Sequence, residues 1–168
     1  MEEFSRPATL EDLKTLVRAL NEHGAEYLLI GGYALFAHGY QRATTDIDLL
    51  VPATRESGEK IRRALMVLPD QSAKDLEPAW FEEGETIRVA DAFVVDLLFN
   101  ACGETYETLQ QYAETIGLDD VLVRTVDLEG LLRTKQSARS KDTADRAILG
   151  RALETYRTLR RARDGDAE

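Results

Sequence analysis

Residues 42–51 read RATTDIDLLV, a short apolar strand that carries two carboxylates one residue apart. Side chains on a strand alternate faces, so Asp46 and Asp48 point one way while Ile47, Leu49 and Val51 point the other. Two negative charges side by side repel each other. A chain keeps that arrangement where a cation sits between the charges or where water reaches both. Pro52 then ends the strand, since it cannot donate to the ladder.

A third acid completes the pattern. In FVVDLLF, residues 93–99, Asp96 sits in a strand that is apolar on both faces, where a lone carboxylate would be costly to ionise. If the two strands are neighbours, Asp96 meets Asp46 and Asp48. Three clustered carboxylates suit hard divalent cations such as Mg²⁺. Two such ions, about 3.5–4 Å apart, clamp an in-line phosphoryl displacement. Taken singly, each acid also has a structural reading: Asp46 as a cap or turn residue, Asp48 bonded to backbone, Asp96 paired to an arginine. Just upstream, IGGYA (residues 30–34) ends a strand in Gly31-Gly32 and opens a helix, which bares backbone amides for an anion.

The rest of the chain supplies a scaffold. Thr9 with Asp12 reads as a capping box for a helix burying Leu10, Leu13, Val17 and Leu20, closed by Gly24. EYLLI is a short buried strand and YALFAHG a turn or two of helix. Residues 55–68 have helical spacing through Ile61, Leu65 and Leu68. TIRVA and FVVDLLF flank Asp91-Ala92 as a hairpin, a helix is expected near residues 104–115, and VLVRTV reads as a strand. Asp127 is placed to cap the helix LEGLLRTKQSA, and Ser140 a last helix carrying Ala144, Ile148, Ala152, Tyr156 and Leu159. That order predicts an α/β or α+β chain: a mixed sheet with packed helices and C-terminal helices.

At 168 residues the chain is expected to form one domain over residues 1–163, with a frayed tail at 164–168. A single cysteine, Cys102, allows no internal disulfide, and the acidic start MEEFSRPATLEDL is unlike a signal peptide, so a cytoplasmic protein is expected. No apolar run reaches transmembrane length, so no membrane partner is expected. The net charge of −10 hides an asymmetry. Residues 133–163 hold ten Lys/Arg against three Asp/Glu, a balance of +7, and the remainder carries −17. A local positive field of that kind can draw an anion to an acidic protein.

LIGGYALFAHGYQRATTDIDLLV resembles the nucleotidyltransferase superfamily that includes DNA polymerase beta and, within it, the small bacterial branch related to abortive-infection (AbiEii-like) toxins. The resemblance implies a nucleotidyltransferase fold with Asp46, Asp48 and Asp96 as catalytic, metal-holding acids for two Mg²⁺ ions. It implies Gly31, Gly32, Arg42 and Thr44 as nucleotide-binding residues. KQSARSKDTAD resembles the branch's C-terminal element and adds Lys135, Lys141, Asp142 and Asp145 to that set. Lys135 and Asp145 each fall at the edge of an apolar helical stripe, where charges want partners. The implied activity is transfer of a nucleoside monophosphate from an NTP to an acceptor hydroxyl, on an RNA end or a protein, with release of pyrophosphate. A toxin–antitoxin role is part of the same resemblance. Two other readings use the same residues: a non-catalytic member that binds nucleotide or a protein partner, and a metal-dependent phosphohydrolase.

Overall fold

The computed structural model describes residues 5–40, 45–136 and 140–166, with backbone alone for 140–144 and 160–166. The first helix, α1 (Leu10–Glu22), starts as its sequence dictates. The Thr9 hydroxyl accepts the Asp12 amide at 3.2 Å and the Asp12 carboxylate accepts the Thr9 amide at 2.8 Å, satisfying two otherwise orphaned donors. Leu13, Leu16, Val17 and Leu20 form its buried stripe.

Then follow β1 (Leu28–Ile30), α2 (Gly32–Ala37), β2 (Ile47–Leu50) and α3 (Arg55–Leu65). The Thr54 hydroxyl accepts the Ser57 amide at 3.1 Å and so caps α3. After two 3₁₀ turns come β3 (Ile87–Ala90) and β4 (Val94–Leu98), and after a third come β5 (Ala113–Leu118) and β6 (Val121–Val126). Two helices close the chain, α4 (Leu128–Arg133) and α5 (Ser140–Asp166).

The six strands make one mixed sheet in the order β3-β4-β2-β1-β6-β5. β2 lies parallel to β4 and antiparallel to β1, and β1 lies parallel to β6. Ile47, Leu49, Val95 and Leu97 share one face and are fully buried, whereas Asp48, Val94, Asp96 and Leu98 share the other and are mostly half-buried. Asp48 and Asp96 therefore lie on the wetter face. Among the described residues, no helix is long and apolar enough to cross a membrane.

The fold corrects two expectations. Residues 104–115 form no α-helix: only Thr108–Tyr112 turns as 3₁₀, and Ala113 already begins an edge strand. That strand pairs along its whole length with β6 through a turn at Asp119, and the pairing overrides the local helical preference. The helix opened by Asp127 stops at Arg133, well short of the expected length. The last helix runs to Asp166, and its apolar stripe is covered only as far as Ala152. Tyr156 and Leu159 are exposed, because a helix of 27 residues outruns the six-residue α4 that packs against it.

Candidate functional site

Strand register brings the acids together. Asp48 lies opposite Asp96 across the parallel β2–β4 pair, and Arg88 lies opposite Asp96 across the β3–β4 hairpin. Residues opposite one another project to the same side, so Asp48, Asp96 and Arg88 make a row across three strands. Asp46, in the bend before β2, reaches the same spot. The Arg88 guanidinium donates from Nε to Asp96 Oδ1 at 3.0 Å and from Nη2 to Asp96 Oδ2 at 3.2 Å. The same Nη2 donates to Asp46 Oδ2 at 3.3 Å. Among the described residues, Arg88 of the chain itself is a cation between Asp46 and Asp96. Its hydrogen bonds to Asp96, and then the Asp96 charge, hold the guanidinium proton more tightly than in a free arginine.

Asp48 is positioned from the other side by Gly31. The chain leaves β1 for α2 at Gly31 with φ +77°, a left-handed conformation that favours glycine. A β-carbon on Gly31 would stand 2.3 Å from Asp48 Oδ2, so the carboxylate rests against bare backbone. The Gly31-Gly32 corner and the paired acids thus form one locus. Since α2 is six residues long and buried from Gly32 to Leu35, that corner has no long-helix dipole to offer an anion.

The C-terminal candidates behave differently. Lys135 Nζ pairs with Asp145 Oδ2 at 3.0 Å, with side chains 6% and 1% exposed. This buried pair fastens the segment after α4 to α5, and the Arg146 guanidinium donates to the Lys135 carbonyl beside it. Arg42 and Thr44 lie outside the described residues, as do the side chains of Lys141 and Asp142.

Carboxylate oxygens are the whole donor set of Asp46, Asp48 and Asp96, which suits a hard divalent cation rather than a softer one. Two of the three already converge on a single positive group. Among the described residues, no group of three or more His, Cys, Asp or Glu side chains is close enough as it stands to hold a metal ion.

A separate cleft of about 500 Å³ opens between α5 and the sheet end, lined by His38, Glu114, Glu129, Leu153, Tyr156 and Arg157. His38 Nε2 donates to the Val126 carbonyl at 2.7 Å and stands 3.6 Å from Glu114 Oε1. Arg157, on the basic helix, therefore faces carboxylates as well as solvent, which blunts its pull on a polyanion there.

Arg88 was not singled out by sequence. Its signal lay in the hairpin count: a two-residue turn at Asp91-Ala92 would set Arg88 against Val95. The observed connection takes in Phe93 and moves Arg88 opposite Asp96. Asp91 holds that turn together. Its buried carboxylate accepts the amides of Asp70 at 2.8 Å, Ser72 at 2.9 Å and Ala92 at 2.7 Å. Burial pushes its pKa up, but those backbone donors outweigh burial and leave it below the usual carboxylate value.

Compared with known proteins, the chain matches no family model, and no curated protein is significantly similar to it in sequence.

Proposed function

We propose that the chain is a divalent-cation-dependent nucleotidyltransferase of the DNA polymerase beta-like fold, which moves a nucleoside monophosphate from an NTP to an acceptor hydroxyl. The observation that carries this reading is the meeting of Asp46 and Asp96 on one guanidinium, with Asp48 beside them against Gly31. Asp46, Asp48 and Asp96 would hold Mg²⁺. When bound, Mg²⁺ supplies positive charge to the phosphate oxygens and to the attacking oxygen.

The chain's own residues do the rest. Gly31 and Gly32 sit at the strand-to-helix corner beside Asp48, where backbone rather than a side chain of their own would meet the triphosphate. Asp96 lies at the centre of the acid row, where its carboxylate accepts the proton of the acceptor hydroxyl. The acceptor oxygen forms its bond to the α-phosphorus as the bond from that phosphorus to the leaving oxygen breaks, and pyrophosphate departs. Lys135 is buried on Asp145 and braces the junction of α4 and α5, so in this reading Lys141, with Asp142 beside it, is the phosphate-facing lysine. Arg42 and Thr44 complete the nucleotide contacts. The acceptor is an RNA end or a protein hydroxyl.

The Arg88 bridge favours one second reading. An arginine that never left Asp46 and Asp96 would leave a non-catalytic member that binds nucleotide or a protein partner. Incubation with each α-labelled NTP, Mg²⁺ and cell extract separates the two. Transfer of label to a macromolecule, abolished by Asp48→Asn, supports transfer chemistry. Free labelled monophosphate without a labelled acceptor points to a phosphohydrolase, and no change in any NTP points to the binding reading.

A further inference from the structure

We propose that Arg88 is an exchangeable counter-ion: it neutralises the acid pair in the ligand-free chain, gives way to a divalent cation, and then takes up the phosphate that arrives with that cation. The proposal rests on the metal-dependent reading of the acids. Three observations carry it. The guanidinium occupies the gap a cation would need, bonded twice to Asp96 and once to Asp46.

The partners are also unequally anchored. The Asp96 and Asp46 side chains are 14% and 30% exposed, while that of Arg88 is 62% exposed. The acids therefore belong to the sheet and the cation to the surface, so the cation can swing away without unburying apolar area. Water and salt reach the exposed guanidinium and compete for it, although its fork to Asp96 is the stronger, two-bond form of such a pair.

The third observation is where Arg88 goes when displaced. It sits on β3, the edge strand, with its Cα fixed opposite Asp96 by the hairpin register. A displaced side chain stays within its own length of the acids. Its planar fork of donors matches two phosphate oxygens at once, which an ammonium cannot do. The same residue would thus oppose cation binding before substrate arrives and favour it afterwards, so that cation and phosphate enter together.

The test is binding, with Mn²⁺ as the probe, followed by the loss of its free spin-resonance signal on titration of the full chain. Arg88→Ala is expected to bind Mn²⁺ alone about tenfold more tightly than wild type, since a competing positive charge is gone. In saturating Mn²⁺, the same variant is expected to bind inorganic tripolyphosphate about tenfold more weakly. Arg88→Lys, which keeps the charge but not the fork, should hold Mn²⁺ binding near wild type and still lose tripolyphosphate affinity. Equal Mn²⁺ affinity in wild type and Arg88→Ala overturns the proposal while leaving the metal site standing. No Mn²⁺ binding by any of the three proteins at millimolar concentration overturns both.

Discussion

Lys135 meets Asp145 at 3.0 Å with both side chains almost wholly buried, whereas Arg88 meets Asp96 at the same distance with most of its side chain in water. Distance does not distinguish them; surroundings do. Charges taken from water into a core are held by each other, and removing one strands its partner. A pair at the surface exchanges with water and salt at little cost. The first is a fastener between the end of α4 and α5, and the second is a contact that can be traded for another cation.

The largest expected effect breaks the buried pair. Lys135→Met should cost about 3–5 kcal/mol, read as a lower urea midpoint, because the Asp145 charge is left in the core. Adding Asp145→Leu should recover much of that loss. A single-variant cost below about 1 kcal/mol would mean that water reaches this pair and that the contrast with Arg88 is false.

Next is Asp91, an acid held by backbone rather than by a cation. Asp91→Ala should cost about 1–3 kcal/mol at neutral pH, since the amides of Asp70, Ser72 and Ala92 lose their acceptor. Its folded pKa is depressed, so its stabilisation is fully present above the unfolded value near 3.8 and is lost as pH falls through the lower folded value. The gap between wild type and Asp91→Ala should hold from pH 7 to about 4 and shrink below it. A gap that widened under acid would contradict the assignment.

Gly31→Ala should cost about 1–3 kcal/mol for the backbone alone, since φ +77° with ψ −158° is a region open essentially to glycine, and more from the crowded Asp48 carboxylate. In an Asp48→Ala background only the contact with the residue-48 Cβ at 3.2 Å remains of the crowding, so the two changes should be less than additive. Full additivity would mean that Asp48 does not rest against Gly31 in solution. The smallest effect is expected from Arg88→Ala in metal-free buffer, under about 1 kcal/mol. A loss of several kcal/mol would make Arg88 a fastener like Lys135.

Much of the fold was legible because single residues carried local physics. Thr9 and Asp12 announce a helix start, Asp127 announces another, and alternation around Asp46 and Asp48 gives the strand and its charged face. The meeting of that face with Asp96 was conditional on the two strands being neighbours, and the β2–β4 pairing makes them so. What escaped depended on partners distant in sequence. The strand Ala113–Leu118 exists through β6, and neither it nor Arg88 is specified by its own few residues. Lys135 and Asp145 were each readable as charges in need of a partner, but that each is the other's partner is a fact of how α5 packs.

The central claim is that Asp46, Asp48 and Asp96 exist to hold a divalent cation with a nucleotide. Thermal unfolding of wild type and Asp48→Asn tests it most directly, each with NTP plus Mg²⁺ and with NTP plus EDTA. At one hundred times the dissociation constant, Mg²⁺ with NTP should stabilise wild type by about 2.7 kcal/mol. EDTA should remove most of that gain, and Asp48→Asn should show little of it in either buffer. Equal melting temperatures for wild type in the two buffers, at millimolar concentrations of all four NTPs, would contradict the claim.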